Sequence, residues 1–504
     1  MLTALSCVFA GVLAVWAVSS WTRPRHYYPP GPKGLPLLGN MFDIPMRYGW
    51  ETFANWSRLY GSEIVHVQAL GKHICVINSA KVAKDLFDGR PHIYSDKEQS
   101  VMTQELSGWK RAWALSPYDD EWREYRKLFH QHFRPSAVPQ YHHKQTKAVR
   151  RLLQLLLDTP ENFLAHLRYA AGSSLLDVVY SFDALPGDSR ITLVEKAVHT
   201  FARLLETGVY LVDVAPILKH IPAWFPGANF KRQAAEYKQL VDDMFKVPYQ
   251  QFKDAWRRGT AQPCFAASLL ADSDPYDASE HEELFINLTG TTYAAGSDTT
   301  VAAMGTFMLA MALHPEVQRW VQEELDRVVG RERLPEMADQ PALPRVMATV
   351  HEVLRWHPPL PLATPHRAMA DDVYAGFTIP AGSIVLGNSW AILHDDKTYT
   401  NPQTFDPRRF VGPNAQPFPE VVFGHGRREC PGRHFALDIL FLAVAHVLSV
   451  FTIERVDNSD RVIGDTQGLF TPHVLSYPKP FEASFVPRFS GVESLVRTAA
   501  LSEI

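Results

Sequence analysis

The stretch Phe423-Gly-His-Gly-Arg-Arg-Glu-Cys-Pro-Gly-Arg-His-Phe-Ala436 decides how the rest of the chain is interpreted. Cys430 lies near its centre, between Gly426 and Gly432. Glycine permits left-handed backbone and the close approach of another group. Pro431 has the fixed φ that suits the first turn of a helix, and the apolar run that follows predicts a helix buried on most sides. The sequence therefore predicts Cys430 in a glycine-shaped loop at the start of a buried helix.

Cys430 is a candidate metal ligand because of where this loop puts it. A helix N-terminus lowers the pKa of a thiol and favours the thiolate. A lone cysteine is more often a small buried hydrophobe, but that interpretation does not explain the adjacent glycines, proline and arginines. The other cysteines, Cys7, Cys75 and Cys264, are scattered without a CxxC pair, so neither a disulfide framework nor a zinc site is predicted.

The pattern Phe-x-x-Gly-x-Arg-x-Cys-x-Gly resembles the haem-binding loop of the cytochrome P450 family. The resemblance implies a mainly α fold with small β-sheets, the cytochrome P450 fold, preceded by an N-terminal transmembrane helix. It also implies haem b as cofactor, with Cys430 as the axial thiolate ligand of the iron. Four more loop residues are implied to contact the cofactor: Phe423, Gly426, Arg428 and Gly432.

Two further segments carry residues that contact a haem propionate in this family. The segment Asp120–Lys127 places Trp122 and Arg126 four residues apart on one helix face. The segment Pro365-His-Arg367 precedes a predicted strand, and the resemblance implies a propionate contact from His366. The alternatives are an ordinary amphipathic helix and a surface histidine.

The segment Ala294–Thr300 is expected to interrupt a long apolar helix that runs from Leu284 to Leu313. Asp298 and Thr299 are polar, and burial makes polar groups costly unless they have partners or a function. The segment resembles the family's oxygen-activation motif. The resemblance implies that Thr299 positions the reacting oxygen and that Asp298 relays protons as a general acid. The alternative is a kinked core helix with two satisfied polar residues.

A third block predicts a structural ion-pair cluster. The segment His351–Trp356 puts Glu352 and Arg355 on one helix face, and an exposed pair of this kind contributes little to stability. The segment Phe405-Asp-Pro-Arg-Arg-Phe410 matches another family block, which implies that Arg409 joins them in a buried triad. A carboxylate between two guanidiniums has the pairing that a buried charge requires. We assign the triad to folding around haem.

The 504 residues divide into three predicted regions. Residues 1–21 carry no charge and are long enough to span a bilayer; a signal peptide and an interfacial helix are the alternatives. Arg23 and Arg25 follow, so the remainder is expected to face the cytosol from a single-pass anchor in the endoplasmic reticulum membrane. The Pro/Gly-rich residues 22–40 predict a stiff hinge, and residues 41–504 are predicted to form a single haem-thiolate monooxygenase domain.

The net charge of −4 gives no reason to expect nucleic acid as a partner. The protein is expected to be monomeric.

The resemblance implies a monooxygenase that inserts an oxygen atom from O2 into a hydrophobic small molecule. The electrons are implied to come from NADPH through the flavins of an NADPH-cytochrome P450 reductase. The segments Pro365–Arg367 and Asp371–Tyr374 resemble fungal members that tailor secondary metabolites, such as the O-methylsterigmatocystin oxidoreductase group, so a terpenoid or polyketide substrate is expected. The alternatives are a reductase-independent haem-thiolate isomerase or dehydratase, and a membrane haem-binding protein without turnover. Asp298 and Thr299 argue against both.

The last sequence features concern charge near the thiolate. A basic surface on that side of the haem would suit an acidic electron donor, and four residues are expected to form it: Arg123, Lys127, Arg427 and Arg433.

Two residues of the Cys430 loop depart from the family pattern. His425 lies where an aromatic residue is common, and Glu429 where an apolar residue is common. The charge of Glu429 is expected to lower the reduction potential of the iron.

Overall fold

The computed structural model describes residues 27–206, 210–272, 281–456 and 468–501. The predicted anchor at 1–21 and the first part of the predicted hinge lie outside the described residues. Helices dominate the described chain, as expected. The α-helices are α1 (Gly49–Tyr60), α2 (Ala80–Ala83), α3 (Pro91–Tyr94), α4 (Asp120–Phe133), α5 (His142–Asp158), α6 (Phe163–Tyr180), α7 (Ser189–Glu206), α8 (Leu211–Val214), α9 (Asn229–Arg257), α10 (Phe265–Ala271), α11 (Glu282–Leu313), α12 (Pro315–Val328), α13 (Pro344–Trp356), α14 (Ser389–Leu393), α15 (Arg433–Val450) and α16 (Val492–Leu501).

The strands are short and form three small sheets, which confirms the predicted mainly α architecture. They are β1 (Ile64–Ala69), β2 (Lys72–Ile77), β3 (Asp96–Lys97), β4 (His366–Arg367), β5 (Asp372–Tyr374), β6 (Phe377–Ile379), β7 (Ile384–Gly387), β8 (Phe451–Arg455) and β9 (Ala483–Pro487). The largest sheet has the order β1-β2-β7-β4-β3, and β5-β6 and β8-β9 form two-stranded sheets. Only β2 and β7 pair in parallel.

Strands β1 and β2 form a β-hairpin. Its turn consists of Leu70 and Gly71, with φ angles of 48° and 86°. Two consecutive positive φ angles match the right-handed twist of the flanking strands, which explains why the turn is tight. The hairpin belongs to the largest sheet, whose opposite edge, β3 and β4, carries Lys97 and His366.

Helices α11 and α15 form the centre of the core. Both are apolar on nearly all sides, and α15 is the buried helix predicted to follow Cys430. In the described part of the chain α15 alone is long and apolar enough to span a membrane, although α11 and α12 together also pass as a span bent by 105°. Because 72% of the apolar window of α15 is buried, it is a core helix. The chain runs through α11 without the predicted interruption.

The described part of the predicted hinge packs along the sheet. The Tyr27 ring stacks on Phe377 with ring centroids 5.2 Å apart, and the His66 N–H donates to the Pro30 carbonyl at 3.0 Å. A Cβ added at Gly31 would lie 1.9 Å from the His66 carbonyl oxygen, so only glycine fits there. These contacts attach the segment after the predicted anchor to β6 and to β1, and β1 belongs to the sheet that carries His366.

Candidate functional site

The Cys430 loop is folded back on itself and against a neighbouring turn. The Cys430 N–H donates to the Phe423 carbonyl at 2.7 Å, and α15 begins at Arg433. Gly426 has a φ of 55°, and a Cβ there would lie 2.5 Å from the Phe87 carbonyl oxygen. Glycine is therefore required at 426 for the conformation and for the contact.

The environment of the Cys430 thiol differs from the sequence-based expectation. Burial raises its pKa, while the Gly432 N–H and the Arg126 charge act in the opposite direction without reversing the shift. The N–H at the helix start acts in the predicted direction, but burial outweighs it and the pKa is raised on balance. A coordinated metal ion deprotonates a thiol outright, so the thiolate form of Cys430 depends on a metal rather than on the helix.

Trp122 and Arg126 connect α4 to this loop. Asp119 caps α4 by accepting from the Trp122 N–H at 2.9 Å, which fixes the first turn. Arg126 Nη1 donates to the Glu429 carbonyl, next to Cys430, at 2.7 Å. The Arg428 guanidinium lies 4.2 Å from the centre of the Trp122 ring. The sequence-predicted pair is thus in contact with the loop.

Arg428 is a largely buried cation. Its Nε donates to the Ser95 carbonyl at 2.7 Å and its Nη2 to the Ser116 carbonyl at 2.8 Å. Its Nη1 is buried and has no hydrogen-bond partner among the described residues. Burial lowers the pKa of Arg428 to about 10.

Lys97 is a second buried cation in the same place, and no local sequence pattern indicated it. Its Nζ donates to Thr364 Oγ1 at 2.7 Å. Burial, with the nearby charge of Arg428, holds the pKa of Lys97 well below its usual range. The neighbouring carboxylate, Asp96, forms its ion pair with Arg367 at 2.5 Å.

Two buried histidines complete this polar cluster. Phe87 packs against both, with ring centroids 4.6 Å from His366 and 4.8 Å from His425. His366 Nδ1 lies 2.7 Å from the Tyr94 carbonyl oxygen and must donate to it. Burial and the charge of Lys97 lower the pKa of both rings, that of His425 to about 4. His425 Nε2 is buried without a partner in the described chain.

These groups fit haem b. Lys97 is buried and Arg428 is half-buried, both with donors facing carbonyl and hydroxyl oxygens, and a cation removed from water is stable only when an anion is close. The carboxylates of the two propionate groups would supply that charge. Protonation of His366 at Nε2 would add a further donor, and the same anion would favour it. Cys430 would supply a thiolate ligand for the iron.

Asp298 and Thr299 lie on α11 with different surroundings. Asp298 is buried, and its Oδ1 accepts from Arg168 Nη1 on α6 at 2.6 Å. Burial raises the pKa of Asp298, against the charge of Arg168 and a hydrogen bond from Tyr477. Thr299 is half-buried, and its Oγ1 donates to the Ala295 carbonyl at 2.8 Å.

The Gly296 backbone is approached by another helix. A Cβ at Gly296 would lie 2.8 Å from Leu175 Cδ1 on α6. The sequence predicted a close approach at this glycine, and the neighbour is the helix that also carries Arg168. Gly296 therefore sets the distance between α11 and α6, and with it the distance from Arg168 to Asp298.

Glu352 and Arg355 on α13 and Arg409 form one buried ion-pair cluster. Glu352 carboxylate oxygens lie 2.7 Å from Arg355 Nε and 3.2 Å from Arg409 Nε. The Asp406 N–H also donates to Glu352 at 2.7 Å. Arg355 further donates to the Leu393 carbonyl at 3.0 Å, which ties α13 to α14.

Three of the four basic residues near the loop have partners of their own. Arg123 pairs with Asp120, Arg433 pairs with Glu429, and Arg427 donates to the Tyr118 hydroxyl. Lys127 is exposed on α4. The ion pair of Glu429 with Arg433 offsets part of the negative charge expected to act on the iron.

Comparison with known proteins agrees with this geometry. The cytochrome P450 family model matches residues 29–485. The chain is 38% identical to the cytochrome P450 monooxygenase ple1 of Rhodocybe pseudopiperita, covering 97% of each chain. It is 40% identical to cytochrome P450 monooxygenase 208 of Postia placenta over 93% of this chain and 92% of that protein, and 38% identical to the tryptamine 4-monooxygenase of Psilocybe cyanescens over 96% and 97%. The chain thus belongs to the cytochrome P450 family of monooxygenases.

Proposed function

We propose that this P450 monooxygenase inserts an oxygen atom from O2 into a hydrophobic small molecule, with electrons from NADPH through a flavoprotein reductase. The observation that carries the proposal is the buried group of cations beside the Cys430 loop. Lys97, Arg428 and Trp122 would hold the haem propionates, with His366 as a further donor. Bound haem supplies one-electron and O2 chemistry, and a cysteine ligand favours O–O cleavage.

The protein's own groups then have separate tasks. Arg126 holds the Glu429 carbonyl, so it fixes the backbone next to the Cys430 sulfur. Asp298, whose pKa is raised by burial, is suited to take up and release a proton. The Thr299 hydroxyl, now bonded to the Ala295 carbonyl, can rotate to donate toward the half-open side of α11.

The substrate is proposed to be apolar and to arrive from a membrane. Trp224 is 78% exposed and Ile217 73%, in the segment between α8 and α9, and Phe42 is 74% exposed near the sheet. Large exposed apolar side chains indicate contact with lipid or another apolar surface. Residues 1–21 would anchor the chain in the endoplasmic reticulum membrane. Because the relatives are fungal and one is a tryptamine 4-monooxygenase, we propose a secondary metabolite, with terpenoids and polyketides as the first classes to test.

The reduced, carbon monoxide-bound absorption spectrum tests thiolate ligation directly. Full-length protein is expected to give the thiolate band, and C430S to lose it while keeping its far-ultraviolet circular dichroism. A spectrum unchanged in C430S would contradict the assignment of the ligand. Product formation that needs neither NADPH nor a reductase would favour an isomerase or dehydratase.

The role of Lys97 is tested by haem retention. K97M removes a buried cation, so we expect haem to transfer to an excess of apomyoglobin about tenfold faster, the effect of about 1.4 kcal/mol of lost charge pairing. K72M is the matched control, because Lys72 pairs with Glu98 on the same sheet at 2.6 Å. Equal transfer rates in K97M and K72M would contradict a propionate contact from Lys97.

A further inference from the structure

Arg168 on α6 is shared between carboxylates on two other helices. Its Nη1 lies 2.6 Å from Asp298 Oδ1 on α11, and its Nε lies 3.1 Å from Glu195 Oε1 on α7. The exposed fraction of the side chains falls from 45% at Glu195 to 28% at Arg168 and 6% at Asp298. The ion pairs therefore lead from solvent to the buried carboxylate.

Tyr477 contacts the same carboxylate from the C-terminal segment. The Thr471 N–H donates to the Tyr477 carbonyl at 2.7 Å, and the Tyr477 N–H donates to Thr471 Oγ1 at 3.0 Å, so the segment is fixed. Tyr477 is a neighbour of Asp298 and acts to lower the pKa of its carboxyl group. Tyr293, one turn earlier on α11, is the remaining titratable neighbour of Asp298 and is buried.

The chemistry of a guanidinium defines what Arg168 can do here. Arginine is not deprotonated in proteins, so Arg168 cannot pass a proton on. It carries one positive charge, and that charge is divided between two acids. An opposite charge within hydrogen-bonding distance favours the ionised form of a carboxyl group. The ionised Glu195 competes for this positive charge, so it disfavours the ionised form of Asp298.

We propose that Arg168 is a positioning residue that sets the proton affinity of Asp298, and that Glu195 adjusts it by competing for the same guanidinium. The inference rests on the proposed role of Asp298 as proton donor. It predicts opposite effects of two single substitutions. Loss of Arg168 leaves Asp298 buried without a cation and favours its protonated form. Neutralising Glu195 removes the competing negative charge, which favours the ionised form of Asp298.

Infrared titration of the full-length protein measures this directly. The carbonyl band of a protonated carboxyl group, taken as the difference from D298N, reports the ionisation of Asp298 at each pH. R168M is expected to raise the midpoint by at least about one pH unit, and E195Q to lower it by about half a unit. R151M is the matched control, because Arg151 pairs with Asp183 and has a similar exposure, 20%.

E195Q decides the test even if R168M does not fold, because Glu195 is half-exposed. A midpoint in E195Q that is unchanged or raised would overturn the inference, as would an equal shift in R151M. The proposed role of Asp298 is tested separately by the ratio of hydrogen peroxide released to product formed. If D298N leaves that ratio unchanged while the E195Q midpoint falls, the charge coupling holds and the proton-donor role fails.

Discussion

Glu352 carries the charge that two buried arginines need. Arg355 is fully buried, and removing one partner of a buried ion pair leaves the other uncompensated. We expect E352Q to lower the free energy of unfolding by about 3–5 kcal/mol, measured from the urea midpoint. E493Q is the control, since Glu493 on α16 is exposed and pairs with Arg497, and it should cost less than about 0.5 kcal/mol. A loss in E352Q no larger than that of E493Q would contradict a structural triad.

His446 makes the stability of the fold sensitive to acid. It is buried in α15, its Nδ1 donates to the Leu442 carbonyl at 2.9 Å, and burial lowers its pKa to about 3. Between pH 6.5 and 3 the unfolded chain binds a proton that the folded chain does not, so stability falls as the pH falls, by about 1.4 kcal/mol per pH unit.

The variant H446N removes this titration. Its free energy of unfolding, measured in urea between pH 7.5 and 5, should fall less steeply with decreasing pH than that of the parent chain. Below pH 6 the two slopes should differ by about 1.4 kcal/mol per pH unit. H143N, at an exposed position of α5, is the control. Identical slopes in H446N and the parent chain would show that His446 does not contribute to acid sensitivity.

The residues of the site separate into those that the sequence could indicate and those it could not. Cys430 and Arg428 belong to one local pattern, and Trp122 and Arg126 to one helix turn, so the resemblance of these short segments to family motifs identified them. Lys97 contacts Thr364, which is 267 positions away, and Arg168 contacts Asp298, which is 130 away. Contacts of that separation depend on how helices and strands pack, which no local pattern encodes.

At the scale of the element, two glycines of α11 give opposite predictions. A Cβ at Gly290 would lie 2.3 Å from Phe245 Cδ1, a buried ring on α9, whereas one at Gly305 would lie 3.4 Å from Pro478. Overpacking costs about 1–3 kcal/mol, and replacing glycine by alanine in a helix gains up to about 1 kcal/mol. We expect G290A to lower the urea midpoint and G305A to keep or raise it. Equal midpoints would show that α9 moves aside at no cost.

The elements themselves were predictable where a local signal coincides with the tertiary fold. Asp119 caps α4 at its first turn, and the apolar run after Cys430 forms α15. A proline ordinarily breaks a helix, yet Pro248 lies inside α9. The buried residues Phe245 and Phe252 hold that helix on either side of the proline. Packing energy there exceeds the cost of a missing hydrogen bond.

At the scale of the whole molecule, the site is assembled from distant parts of the chain. Lys97 from β3, Trp122 from α4, His366 from β4 and the Cys430 loop meet because the largest sheet and α15 are packed into one domain. The overall charge of −4 gives no indication of the basic group at the loop. Composition therefore does not reveal the surface that would meet an electron donor.

That surface gives a prediction about the whole protein and its partner. Arg123 and Arg433 already pair with acids of this chain, so the exposed Lys127 should attract an acidic reductase more than either. K127E is expected to slow the first reduction by the reductase, followed under carbon monoxide by stopped flow, by about tenfold at low ionic strength. The difference should disappear at high salt, because exposed charges are screened. K246E, at an exposed position of α9, is the control. A salt-independent loss, or an equal loss in K246E, would mean that the reductase does not dock against this face.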